Sequence, residues 1–191
     1  MDNLARETVL AGGELNRPHF TVKEHSGLGL IRLQTFHRTP GAVANLNSSL
    51  GVELPGPGET QADQNRQWFW SAPGEWVVAV HAGTEGEVID MLREKLDGLF
   101  VVTSVMSDSR VVLDIAGQAA RDIMARGSTV DFHPANFGAD RCLNTRLAGV
   151  PVMVACSSDG ESFLLFADRS VGDYLLQWFG CLLYTSPSPR D

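Results

Sequence analysis

The sequence predicts an α+β fold, built as two small subdomains with mainly antiparallel sheets, and three observations lead to it. Apolar, β-rich runs alternate with short amphipathic helices twice over, in similar order. The connections lack the long crossovers that join parallel strands in a doubly wound sheet. A polar pivot, Ser107-Asp108-Ser109, separates two β-rich runs near the middle of the chain. The first subdomain is therefore expected over 27–106 and the second over 107–180. With 191 residues and 43% apolar content, the chain can supply a core for one compact domain or two small ones.

Residues 1–26 show no strong periodicity and contain Pro18, so an extended N-terminal arm is expected there, ordered by a partner. "LGLIRLQ" (28–34) is the first strand. "AVANLNSSLG" (42–51) spaces Val43, Leu46 and Leu50 along one helical face, with Gly51 as the stop. "RQWFWSA" and "EWVVAV" are strands flanking a Pro73-Gly74 turn. "TEGEVIDMLREKLDG" follows as a helix, with Thr84 at its N-cap and Gly98 at its end. Phe100 to Val105 and Arg110 to Ile115 are β-rich, and "GQAARDIMARG" is a short helix. "CLNTRLAGVPVMVACSSDG" and "SFLLFAD" supply about three strands, and "SVGDYLLQWFG" closes as an amphipathic helix. The last eleven residues, "CLLYTSPSPRD", switch abruptly to Ser-Pro repetition. They read as a non-native tail, translated cloning or adapter sequence, and are expected to be dispensable for folding.

Composition narrows the functions available. A net charge of -8, shared by both halves of the chain, repels phosphate backbones and anionic membrane surfaces, so neither nucleic acid nor membrane is an expected partner. No window is apolar enough to span a bilayer, and the acidic N-terminus is unlike a signal peptide. The three cysteines, Cys142, Cys156 and Cys181, are odd in number and dispersed, which fits a reducing cytoplasm.

Motifs for chemistry are sparse. The five histidines are scattered and no Cys-x-x-Cys or His-x-Glu context appears, so no metal site is expected. No Gly-x-Ser-x-Gly elbow is present, and "GPGE" at Gly56 loses a phosphate-binding donor to Pro57. A Cys142–His133 pair and a grouping of Glu75, Asp114 and Asp131 require three-dimensional proximity that their spacing does not supply. No catalytic, cofactor-binding or metal residues are therefore assigned. Trp70 and Trp76 are expected to pack across the Pro73-Gly74 turn; core packing, a subunit-interface anchor and a ligand pocket are all open to such aromatic surface. Arg141 and Arg146 flank a turn and could grip a carboxylate; for Arg146 an internal salt bridge, a subunit interface and small-molecule binding stand as alternatives. Trp70, Trp76, Arg141 and Arg146 are the candidate interface residues.

"SAPGEWVVAV", "SRVVLDIAGQAARDIMARGSTVDFHPANFGADRCLNTRLAGVPVMV" and "FADRSVGDYLLQWF" together resemble the gamma subunit of bacterial heterotetrameric sarcosine oxidase, from about Gly27 to Phe179. The resemblance implies a fold similar to the folate-binding domains of aminomethyltransferases. It further implies an accessory subunit without a catalytic group, held against a large alpha subunit, with beta and delta in the same complex. That complex would carry FAD, FMN, NAD and zinc in its other subunits and none in this chain. It would oxidise sarcosine to glycine, pass the one-carbon unit to tetrahydrofolate and release hydrogen peroxide. An independent folate-binding one-carbon protein is the alternative that the fold relationship suggests.

Overall fold

Strands such as "WVVAV", "VVLDI" and "FLLFA" are apolar at successive positions, not at alternate ones, so both of their faces need cover. A computed structural model of the chain, describing residues 8, 10, 13–36, 41–63 and 65–185, supplies that cover in four layers. The elements run β1 (Leu15–Arg17), β2 (Phe20–Glu24), β3 (Leu28–Thr35), α1 (Ala42–Leu50), β4 (Thr60–Ala62), β5 (Gln67–Ala72), β6 (Glu75–His81), α2 (Glu85–Lys95) and β7 (Val101–Val105). After a single 3₁₀ turn at Ser107–Ser109 come β8 (Arg110–Ala116), α3 (Ala120–Ala125), β9 (Cys142–Leu147), β10 (Val150–Cys156), β11 (Ser162–Asp168) and α4 (Gly172–Thr185).

The strands form a five-stranded sheet, β4-β5-β6-β3-β7, and a six-stranded sheet, β1-β2-β8-β11-β10-β9. Every pairing between these strands is antiparallel. Helices α1 and α2 cover the outer face of the first sheet, through Leu46, Leu50, Ile89 and Leu92. Helices α3 and α4 cover the outer face of the second, through Ile123, Met124, Leu175 and Phe179. The inner faces meet in a third core, where Leu30, Phe69, Val77 and Ala79 oppose Val112, Met153, Ala155 and Phe166. Phe69 and Phe166 bridge the sheets edge to face, with centroids 4.9 Å apart.

Local sequence explains most elements. The β5–β6 hairpin turns on Pro73-Gly74, with Gly74 at φ 77° and only 2.8 Å between the place of a Cβ and the Thr35 carbonyl, so a side chain there would collide. The β9–β10 hairpin uses Ala148 (φ 51°) and Gly149 (φ 82°) at both central positions, the turn hand that matches strand twist. Helix α1 stops at left-handed Gly51 and buries Leu46 and Leu50, whereas Val43 faces solvent. Helix α2 begins after Thr84, but the Thr84 hydroxyl donates back to the His81 carbonyl and makes no cap bond. Glu85, the first residue of α2, instead anchors the helix start to its surroundings: its buried carboxylate accepts from Gly83 N–H at 2.6 Å and from the Ser107 hydroxyl at 2.7 Å. Ser107 in turn accepts from Leu30 N–H at 2.7 Å, so the first residue of the polar pivot is a buried knot joining α2, β3 and the passage between sheets.

Two expectations need correction. The region read as an arm over 1–26 contributes β1 and β2 to the six-stranded sheet, with Val22 opposite Ile115 and Lys23 opposite Asp114; residues 1–7, 9, 11 and 12 lie outside the described residues. The cause is the alternation of Phe20 and Val22, which bury, with Thr21 and Lys23, a period of two within only five residues. The segment read as a tail over 181–191 continues α4 through Thr185, and Leu182 and Leu183 pack against the six-stranded sheet's core; residues 186–191 lie outside the described residues.

Arg121 organises the irregular stretch between α3 and β9. Its guanidinium donates to the carbonyls of Phe132 (2.5 Å), Phe137 (2.8 Å) and Gly160 (2.7 Å) and lies 5.0 Å from the centre of the Phe163 ring.

Leu182→Ala combined with Leu183→Ala should lower unfolding free energy by about 2 kcal/mol in urea titrations, since two half-buried leucines leave the core; an unchanged midpoint would return the segment to an unpacked tail. Arg121→Leu should cost about 3 kcal/mol, because three carbonyls lose a charged donor at once. Thermal unfolding of the variant checks this, and a melting temperature within a degree or so of the parent's would contradict it.

Candidate functional site

The inter-sheet core ends before the sheets do. Along β3 the inward positions are Leu28, Leu30, Arg32 and Gln34, so the face changes from apolar to charged after Leu30. At this end the sheets diverge around a cleft of about 250 Å³. Its floor is Leu30, Val77, Met106, Met153 and Phe166, and its polar rim is Arg32, Ser71, Glu75, Arg110 and Asn144.

The rim is partly self-organised. The Asn144 amide on β9 donates to the Ser71 carbonyl at 2.6 Å, which ties one sheet to the other, and the Ser71 hydroxyl donates to Glu75 Oε1 at 3.1 Å. Arg110 opens β8 opposite Asp168. Hydrogen bonds from the Ser170 hydroxyl and N–H, with a smaller effect of Arg110, hold the Asp168 carboxyl below its ordinary value. Among the described residues, the Arg32 guanidinium has no hydrogen-bond or ion-pair partner.

The candidate residues from the sequence fall elsewhere. Trp70 and Trp76 do stand opposite each other across the β5–β6 hairpin. Trp76 is only 2% exposed, belongs to the core beneath α1 and α2, and donates its indole N–H to the Pro55 carbonyl at 3.0 Å; within this chain it is a core side chain. Trp70 is half-buried at a β-bulge and touches both that core and the inter-sheet core. Arg141 and Arg146 are five residues apart along an extended stretch, a spacing that turns side chains to opposite faces and does not form one carboxylate grip. Arg141 sits beside Glu59, 3.9 Å away, at an isolated bridge between the sheets. Arg146 donates to the Gly149 carbonyl of its own hairpin and forms no salt bridge among the described residues.

Sequence reasoning missed Arg32, Arg110 and Asn144. The available signal was a lone arginine inside "LGLIRLQ", meaningful only once β3 is known to be buried on both faces.

The other groups weighed for chemistry lie in separate networks. Asp114 pairs with Lys23 at 3.7 Å, and Asp131 accepts from His133 N–H and the Asn136 amide. The Cys142 thiol donates to the Glu59 and Trp70 carbonyls, and burial pushes it up to about 11. Burial also raises Cys156. Burial would raise Asp63 as well, but hydrogen bonds from Trp68, Asn65 and Arg66, with the Arg66 charge, outweigh it and hold that carboxyl low. Among the described residues no group of three or more His, Cys, Asp and Glu side chains gathers as a metal would require, and no helix is long and apolar enough to cross a membrane.

Comparison with known proteins supplies the family. The model of the "Sarcosine oxidase, gamma subunit family" matches residues 37–182. A sarcosine oxidase subunit gamma from Corynebacterium sp. (strain U-96) is 28% identical over 143 residues, covering 73% of this chain and 68% of that protein. One from Arthrobacter sp is 30% identical over 143 residues, covering 66% of this chain and 63% of that protein. Among solved structures, a chain of the heterotetrameric sarcosine oxidase from Corynebacterium sp. U-96 superposes with a TM-score of 0.79 at 24% identity, covering 93% of this chain and 91% of that one. The glycine cleavage system aminomethyltransferase T from Bartonella henselae superposes with a TM-score of 0.63 at 16% identity, covering 85% of this chain and 46% of that one. Both share the fold, two antiparallel sheets with helices outside.

The thiols give a direct test of the buried cores on the two faces of the six-stranded sheet. At pH 8 a thiol reagent should modify exposed Cys181 promptly and reach Cys142 and Cys156 only after denaturant is added. Because the folded Cys142 value lies above the ordinary 9, its contribution to stability is complete below pH 9 and is lost as pH rises toward about 11. Prompt modification of two or three thiols in the native protein would contradict the packing described.

Proposed function

Because this chain belongs to the sarcosine oxidase gamma subunit family, we propose that it serves as the noncatalytic gamma subunit of a heterotetrameric sarcosine oxidase. In this reading it buttresses a large alpha subunit in the cytoplasm, and beta and delta complete the complex. FAD, FMN, NAD and zinc reside in the other subunits. The assembly demethylates sarcosine to glycine, transfers the one-carbon unit to tetrahydrofolate and yields hydrogen peroxide, while this chain contributes surface.

The observation that supports a surface role is the open edge of the five-stranded sheet. Phe36 and Phe100 stack edge to face at 5.7 Å while 54% and 62% exposed, and Val102 and Val105 beside them on β7 are about half exposed. Val102 and Val105 lie on opposite faces of β7, so with the Phe36–Phe100 pair they leave apolar side chains exposed on both sides of this edge. The Met106 N–H donates to the Leu30 carbonyl, and antiparallel pairs alternate, so Ser104 and Val102 direct their backbone groups to β3 while Thr103 and Val105 direct theirs outward. Apolar side chains and free ladder groups together suit a partner that adds an extended segment. A reducing environment fits three cysteines that are odd in number and dispersed along the chain. An independent folate-binding protein is the weaker reading, since this chain spans 46% of the aminomethyltransferase it superposes on.

Co-expression with a cognate alpha subunit should give a complex that survives size-exclusion chromatography. Phe100→Asp should weaken it by roughly 30-fold, the equivalent of about 2 kcal/mol for an interface anchor, without lowering the melting temperature of the free chain. A monomer that ignores alpha would overturn the assembly reading, and a fully stable complex with Phe100→Asp would move the contact away from β7.

A further inference from the structure

We propose that the cleft between the two sheets is a binding site for a small monocarboxylate with an apolar body. The proposal starts from Arg32. Arg32 is half-buried, flanked on the inward face of β3 by Leu30 and opposite Val77 of β6, and no described residue accepts a hydrogen bond from its guanidinium. A guanidinium carries five N–H donors and cannot shed its charge, so partial burial without an acceptor is unfavourable until an anion arrives. Glu75 lines the same cleft yet accepts from Ser71 and makes no ion pair with Arg32.

Arg110 brings a second cation from the other sheet, and the Asn144–Ser71 bond fixes the spacing of the two walls. The charge count selects the ligand. Arg110 already faces Asp168 across the β8–β11 pair, which leaves the Arg32 guanidinium as the cation with no anion on it; a monoanion balances that one charge, and a phosphate dianion would overfill it beside Glu75. The floor selects the remainder of the molecule. Met106, Met153 and Phe166 offer polarisable apolar contact that an inorganic ion cannot use and an aliphatic or aromatic body can. A planar carboxylate held by arginine at the rim, with its carbon body on the floor, satisfies both.

The test uses the purified full chain without any partner, so it succeeds or fails independently of the assembly reading. Benzoate is titrated by calorimetry and by saturation-transfer NMR, with benzyl alcohol as the same ring without charge and inorganic phosphate as charge without the ring. Benzoate should bind saturably and about tenfold more tightly than the alcohol, and R32Q should remove about that factor. E75Q should tighten benzoate about threefold by removing a like charge. E75Q keeps an acceptor for Ser71, so it reads the same electrostatics if R32Q fails to fold. Equal affinity for ring alcohol and ring acid, phosphate displacing benzoate at equal concentration, or benzoate binding unmoved in E75Q and in a folded R32Q would each overturn the proposal.

Discussion

The contact between the two sheets is the constraint from which most of this structure follows. Once Phe69 and Phe166 meet between the layers, each sheet has lost its inner face to the other and must turn its outer face to helices. Strands buried on both sides cannot alternate apolar with polar residues, which is why "WVVAV" and "FLLFA" read as continuous apolar runs. The same demand places Cys142 in the inter-sheet core, where its thiol acts as a small apolar filler with backbone acceptors and is poorly placed to ionise.

The chain visits the six-stranded sheet, leaves it and returns. Strands β1 and β2 enter that sheet, β3 to β7 build the other, and β8 comes back to pair with β2. The halves are thus interlocked by a strand pair between residues 21–24 and 113–116, far apart in sequence. Where the chain crosses back, Ser107 occupies a position with little room for error. It accepts from Leu30 N–H and donates to Glu85, and Glu85 in turn lies where any side chain at Gly29 would be, 2.4 Å from a Cβ. A small hydroxyl, a carboxylate and a glycine are therefore mutually required at the junction.

How much was legible in the sequence follows from the length and chemistry of each signal. The Pro73-Gly74 hairpin, helix α2 and the three strands β9 to β11 have strong local signatures, and so the α+β class with antiparallel sheets was readable. Strand β2 was not, because five residues with Phe20 and Val22 inward give too brief an alternation beside Pro18. The cleft was less readable still. Arg32, Arg110 and Asn144 come from three separate strands, and their convergence exists only after two sheets pack face to face. Trp76 shows one signal serving several roles: a large aromatic next to a turn fits core packing and an interface anchor alike, and only the fold shows its indole donating to the Pro55 carbonyl inside the core.

The two ends of the inter-sheet seam and the outer edge of the five-stranded sheet separate stability from function. Where the seam is apolar it holds the layers together; where Arg32 replaces the leucine pattern it opens into a recess rimmed by Arg32, Arg110 and Glu75. The β7 edge differs again, because its exposed Phe100, Val102 and Val105 leave the chain's own core intact and have apolar area to bury against something else. A subunit built in this way can have complete interior packing and still be incomplete as a surface. The buried thiols and the carboxylates of Asp63, Asp114 and Asp131, by contrast, are each committed to a separate local network within the chain.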